Sequence, residues 1–260
     1  MKKSILAVVL AIASLGITSC NKDVEPIVYP DECVLTVEIA DLMTNGLFNV
    51  FSYVEYTSAK IANGETLPAS ITVNRDDNDS IVSWSSNFND ETGYLRGEIK
   101  VDVNGSLLAN GTIKTVDCSK IILNVGNTLK FFDTIRITNL PASGDQIFRT
   151  VTTNQFGWGK TTNDVSLNAN YEFKYKLNPS KNISECIISG SATGNHFYYG
   201  GFLQDISTAL NVGGYCYFTE GAMTIYTNPL PEIEIASIIE ATFTAQGIYG
   251  TYNGITFTYP

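Results

Sequence analysis

Histidine is almost absent from this chain, and basic residues are scarce. Its 260 residues include one histidine, His196, and only 16 Lys and Arg against 26 Asp and Glu, a formal net charge of −10. The five cysteines form no Cys-x-x-Cys pair, so the sequence lacks a zinc or redox motif. An acidic chain repels phosphate groups, which argues against nucleic acid as a partner and against binding anionic lipid through a basic face.

Motifs for nucleophilic and phosphate chemistry are also missing. The sequence contains no Gly-x-Ser-x-Gly elbow and no glycine-rich phosphate loop. His196 has no recognisable nucleophile beside it, and a single histidine among aromatic residues is more often a packing residue than a base. We therefore predict that the chain is not an enzyme, with no catalytic residue, no cofactor and no metal.

The first 20 residues have the pattern of a secretion signal. Lys2 and Lys3 precede an apolar run over residues 5–15, too short and too interrupted for a spanning helix. Residues 17–20, Ile-Thr-Ser-Cys, resemble the bacterial lipobox, in which the cysteine thiol receives diacylglycerol and the peptide is cut before it. This resemblance implies a signal peptide over 1–19, lipidation at Cys20, a tether over 20–32 and a membrane partner held through acyl chains.

The residues after Cys20 bear on location. Loss of Lys2 and Lys3 with the signal moves the formal charge from −10 to −12. The short acidic stretch 21–26 is similar to the export signal of surface-exposed lipoproteins in Bacteroides-like bacteria, and the alternative is a solvated tether. The expectation is a lipid-anchored protein at the outer membrane or cell surface.

Residues 33–260 are predicted to form one mainly β domain. Apolar residues recur at three- and four-residue steps over 36–62, which predicts one helix, broken near Gly46 and ending at Asn63-Gly64. After Pro68, short alternating runs such as 165–177 and 255–259 are separated by turn residues, often Asn-Gly. We expect an antiparallel sandwich or curled sheet of about a dozen short strands with the N-terminal helix packed against it, and a long surface loop over 194–211.

The order of segments resembles a group of uncharacterised Bacteroides-type surface lipoproteins. The resemblance spans about residues 36–190 and rests on residues 81–84 (Ile-Val-Ser-Trp), 94–101, 132–139 and the Arg-Thr-Val-Thr strand at 149–152. It departs from the group at Trp84-Ser85-Ser86, where the group tends to show Asp-Phe-Gly. The resemblance implies a β-rich fold and an extracytoplasmic location, and no chemistry.

Cysteines and acidic clusters leave alternatives open. Cys33, Cys118, Cys186 and Cys216 allow three disulfide pairings, and buried free thiols fit equally well. Residues 76–79 (Asp-Asp-Asn-Asp) could offer oxygen ligands to calcium, but an exposed acidic turn is the better interpretation. Carboxylates at 89–91 and at Glu232 and Glu234 could serve a glycosidase mechanism only if two of them faced each other in a cleft.

Aromatic residues beside glycines are the strongest sign of a binding surface. Phe156 and Trp158 flank Gly157, and Tyr198 and Tyr199 precede Gly200-Gly201. Exposed rings stack on sugars and anchor protein partners, although such rings are more often packing residues. We predict a non-catalytic binding or structural module for a glycan or protein partner, with a carbohydrate-active hydrolase as the alternative.

Overall fold

The computed structural model describes most of the predicted domain. It covers residues 31–89, 95–125, 127–130, 134–158, 165–196, 199–213, 217–227 and 237–259, with the backbone alone for residues 31–33, 95, 123–125, 127–130, 158 and 237. Cys20 and the predicted signal and tether, apart from residues 31 and 32, lie outside these residues.

One continuous helical segment precedes all the strands, as predicted. It consists of helix α1 (Asp31–Asp41), a π-helical segment (Leu42–Phe48) and helix α2 (Asn49–Ala62). The predicted break near Gly46 is this π-helical segment, where Asn45 and Gly46 are poor helix formers and the chain stays helical. The predicted stop is also confirmed, because Gly64 adopts a φ of +65° and donates its N–H to the Ile61 carbonyl at 3.1 Å.

Sixteen strands follow among the described residues, rather than about a dozen. Their bounds are β1 Ile71–Arg75, β2 Ile81–Asn89, β3 Leu95–Asn104, β4 Ile113–Asp117, β5 Ile122–Val125, β6 Asn127–Lys130, β7 Thr134–Asn139, β8 Ile147–Thr153, β9 Phe156–Trp158, β10 Val165–Leu177, β11 Ile183–His196, β12 Gly200–Val212, β13 Phe218–Thr227, β14 Ser237–Thr244, β15 Gly247–Tyr252 and β16 Ile255–Tyr259.

The strands form a single antiparallel sheet and not the two layers of a sandwich. Its main path runs β1-β2-β3-β4-β7-β8-β10-β11-β12-β13-β14-β15-β16, with β5, β6 and β9 attached beside it. Neighbours on the path are close in sequence, which is the pattern that short turns impose on antiparallel strands. The path begins at β1 and ends at β16, and no pairing joins these two strands among the described residues.

The helix packs on one face of this sheet. Strand β10 shows the alternation that follows, with every second residue from Val165 to Tyr175 buried and polar residues between them. The segment Val34–Ala62 is long and apolar enough to cross a membrane by length and composition, but 67 % of its most apolar stretch is buried inside the protein. A helix that is packed in a protein core is equally apolar. Packing against the sheet therefore accounts for the apolar composition of this segment.

The prediction of a long surface loop over residues 194–211 is wrong. Residues 183–196 form β11 and residues 200–212 form β12, so this region is a long hairpin. Gly194 of this hairpin lies opposite an aromatic ring: it pairs with Phe202, and a Cβ on Gly194 would lie 2.2 Å from that ring. At this position, a glycine and an aromatic residue of the kind that suggested a loop instead form part of the sheet, with the ring packed over the bare glycine backbone.

Candidate functional site

A cavity of about 300 Å³ lies between the N-terminal half of the helix and the last strands of the sheet. We name it the helix–sheet cavity. It is lined by Val37, Ala40, Asp41, Thr44 and Asn45 of the helical segment and by Tyr217, Phe218, Phe243, Thr244, Ala245, Gln246, Gly247, Ile248 and Tyr259 of the β13–β16 region. Its volume falls at the lower end of the range for small-molecule sites.

Most of the cavity wall is apolar. Phe218 and Phe243 form an edge-to-face pair with ring centroids 5.1 Å apart, and both are buried. Val37 and Ala40 of α1 face them, and Ile248 of β15 completes the apolar part. An apolar molecule would displace water from these surfaces at a gain of about 25 cal/mol per Å².

Asp41 is the charged residue among those that line the cavity. Asn45 donates its side-chain N–H to Asp41 Oδ1, one turn along the helix. Partial burial raises the pKa of Asp41 above its usual 3.8, the hydrogen bond from Asn45 opposes this rise, and the neighbouring Glu38 adds to it. The carboxyl group is therefore fixed in direction and only partly solvated.

The π-helical segment positions this wall of the cavity. Thr44 and Asn45 lie within it, Asp41 directly precedes it, and Thr44 donates its hydroxyl to the Ala40 carbonyl at 2.8 Å. A π-helical turn changes which side chains share a face, because it adds a residue to the turn. Such turns are frequent at functional sites.

A cluster of four polar side chains lies in the core between α2 and the sheet. Glu55 accepts hydrogen bonds from Lys114 of β4, from Arg149 Nε of β8 at 3.0 Å, and from the Tyr175 hydroxyl of β10. We name these four residues the Glu55 cluster. All four are buried, with Lys114 fully inaccessible to solvent.

The Glu55 cluster carries an excess of positive charge, since one carboxylate faces two cations. Burial alone would raise the pKa of Glu55, but Lys114 and Arg149 outweigh it and lower the pKa from 4.5 to about 2. Burial lowers the pKa of Lys114, and burial together with the Glu55 charge raises the pKa of Tyr175. The cluster is a buried connection between helix and sheet, and nothing in it reaches solvent for chemistry.

His196 lies at the end of β11 and connects to the helix through Glu38. The amide N–H of Tyr199 donates to His196 Nδ1 at 3.4 Å, so Nε2 carries the proton and donates to Glu38 Oε2 at 2.6 Å. The rings of His196 and Tyr199 are in contact, with centroids 4.8 Å apart and their planes tilted by 30°. Both ring nitrogens therefore have partners, and these contacts connect the end of β11 to the helix.

The described part of the structure does not show a shared surface for the four aromatic residues that were predicted to bind a ligand. Phe156 is fully buried in the core, where strand alternation in β9 directs it, so its ring does not face solvent. Tyr199 is half-buried against His196. The backbone of Trp158 pairs with Val165, while its side chain and the whole of Tyr198 lie outside the described residues.

The predicted acidic sites have separate outcomes. Residues 76–79 form an exposed turn in which Asp76 Oδ1 accepts the N–H groups of Asn78 and Ser80 at 2.9 and 2.8 Å. Within the part of the chain that the structure describes, no group of three or more His, Cys, Asp or Glu could hold a metal ion. Residues 90 and 91, Glu232 and Glu234 lie outside that part.

Two of the four cysteines are placed. Cys118 and Cys186 are both buried, and Cys186 is a free thiol whose pKa burial raises. The Cys33 side chain and Cys216 lie outside the described residues. Disulfide pairings that use Cys186 are therefore not formed.

Sequence patterns did not indicate the helix–sheet cavity or the Glu55 cluster. The sequence does contain one feature that could have indicated the Glu55 cluster. Glu55 is a charged residue on the apolar stripe of the helix, four residues after Phe51. Lys114 and Arg149 likewise occupy inward positions of their strands, beside Val116 and Val151.

No family model, no curated protein sequence and no solved structure matches this chain.

Proposed function

We propose that this chain is a lipid-anchored, non-catalytic binding module at the outer membrane or cell surface, and that its ligand is a small, largely apolar molecule held in the helix–sheet cavity. The observation that carries the binding function is the cavity itself. An engineered cavity of about 150 Å³ holds benzene, and this one has a volume of about 300 Å³. The resemblance to Bacteroides-type lipoproteins stays a prediction.

The distribution of polar groups supports binding over hydrolysis. A glycosidase mechanism needs two carboxyl groups on either side of the bond that is cut. Within the described part of the chain, Asp41 is the one carboxyl group that lines the cavity, whereas Glu38 forms a hydrogen bond with His196. The hydrolase alternative gains no support from the described residues, and neither does a glycan surface built on Phe156.

The anchoring part of the proposal depends on Cys20. We expect Cys20→Ser to release the protein from the membrane fraction, because no acyl chain can then be attached. The matched control is Cys33→Ser, which removes a nearby thiol but keeps Cys20 and should remain membrane-bound. Fractionation followed by mass spectrometry of the mature N-terminus measures both, and continued membrane attachment of Cys20→Ser would show that the lipid assignment is wrong.

Filling the cavity should block binding. The neutral fluorescent probe 2-(1-naphthyl)ethanol should bind saturably, with a Kd on the order of 100 µM. Ala40→Phe places a ring in the cavity and should weaken this binding at least about tenfold, as measured by fluorescence anisotropy. The control is Ala62→Phe, which makes the same change at an exposed position near the end of the same helical segment.

A second variant separates blocking from unfolding. Ala245 lines the cavity and is exposed to solvent, so we expect Ala245→Trp to hinder entry of the probe without placing a ring in the core. Circular dichroism checks that each variant is folded. Unchanged binding in a folded Ala40→Phe protein would contradict the proposal, and so would failure of both this probe and its amine analogue to bind.

A further inference from the structure

The charge of the helix–sheet cavity distinguishes among classes of ligand. Among the described residues, those that line it include one carboxyl group, that of Asp41, and no Lys or Arg. Glu38, one turn before Asp41, adds negative potential at the same end of the helix. An anionic ligand would be repelled by both carboxylates, and a purely apolar ligand would remove water from Asp41 without replacing its hydrogen bonds.

Asp41 lines the cavity and has one carboxyl oxygen left that can accept a hydrogen bond from a ligand. Its Oδ1 is occupied by the Asn45 amide, which holds the carboxyl group in place. Its Oδ2 has no hydrogen-bond or ion-pair partner among the described residues. A positioned carboxylate oxygen at the edge of an apolar cavity suits a charged N–H donor, since charge-assisted hydrogen bonds are about twice as strong as neutral ones.

We infer that the ligand of the helix–sheet cavity is a small cationic amine with an apolar body of about twelve non-hydrogen atoms, estimated from the cavity volume relative to one that holds benzene. Its ammonium group donates to Asp41 Oδ2, and its apolar body packs between Phe218, Phe243 and Val37. This inference rests on the proposed function, because it names the ligand class of the same cavity.

Three probes with one apolar body test the inference. They are 2-(1-naphthyl)ethylamine, 2-(1-naphthyl)ethanol and 1-naphthylacetate, which carry a cation, a neutral hydroxyl and an anion. The full chain carries Cys20→Ser, so that no acyl group is attached to compete for the cavity. At pH 7 the amine should bind about tenfold more tightly than the alcohol, and the carboxylate should bind more weakly than either.

Removal of the Asp41 charge should remove the preference. In Asp41→Asn the amine and the alcohol should bind with affinities within about twofold of each other. The affinity for the alcohol should be the same as in the protein that retains Asp41. Asp205→Asn is the matched control, since Asp205 is exposed on β12 and the change in net charge is the same. It should keep the tenfold preference.

The outcomes separate the inference from the proposed function. If the alcohol and the amine bind equally well, and Ala40→Phe blocks both, the cavity is a binding site and the amine inference is overturned. An amine preference that survives in Asp41→Asn, or that is lost equally in Asp205→Asn, also overturns it. If none of the three probes binds, the proposed function fails as well.

Discussion

Replacing Glu55 with glutamine should lower the free energy of unfolding by about 3–5 kcal/mol. The substitution keeps the shape of the side chain but leaves Lys114 and Arg149 buried without a counter-charge. An uncompensated buried charge is expensive because the interior cannot replace the water that it loses. Urea denaturation at pH 7 measures the difference.

Two further variants test whether charge imbalance is the cause. Glu98→Gln breaks an exposed pair, in which Glu98 lies 2.8 Å from Lys120, and should cost at most about 1 kcal/mol. Adding Lys114→Met to Glu55→Gln restores the original charge excess and should recover part of the lost stability. A Glu55→Gln protein as stable as the Glu98→Gln protein would show that the Glu55 cluster contributes no net stabilisation through charge.

Acidification should remove the same stabilisation. Folding lowers the pKa of Glu55 from 4.5 to about 2, so between these values the unfolded chain binds a proton that the folded chain does not. The contribution of the ionised group is complete above pH 4.5 and is lost as the pH falls through about 2. A shift of this size corresponds to about 3 kcal/mol.

The pH effect can be isolated by comparison with Glu55→Gln. Other carboxyl groups titrate in both proteins, so the difference in unfolding free energy between them reports on Glu55. That difference should be largest near neutral pH and should decrease between pH 4.5 and about 2. A difference that stays constant over this range would mean that Glu55 is not held ionised by its partners.

Local patterns predicted the elements of the fold well. Period-two alternation located β10 at residues 165–177 and β16 at 255–259, and helical periodicity located the helix up to its end at Asn63-Gly64. The prediction failed where glycine was interpreted by composition alone. In the β11–β12 hairpin, glycine makes room for a ring on the opposite strand, and that partner is not visible from the local sequence.

The candidate site could not be predicted in the same way. The helix–sheet cavity combines residues 37–45 with residues 217–259, which are separated by most of the domain. Neither segment has a motif of its own, and Asp41 looks like an ordinary helix residue until the last strands are placed beside it. The sequence analysis predicted a binding role for four aromatic residues because flexible glycines lie beside them. One of the four, Phe156, is part of the core.

The helix relies on partners that come much later in the chain. Its contacts include Glu38 with His196 and Met43 with Gln204, which are 158 and 161 residues apart. During synthesis, residues 34–62 therefore emerge long before the strands that shield them, as a segment with the length and mean hydropathy of a bilayer span. Correct folding depends on completing the distant strands before this segment partitions into lipid or joins another chain.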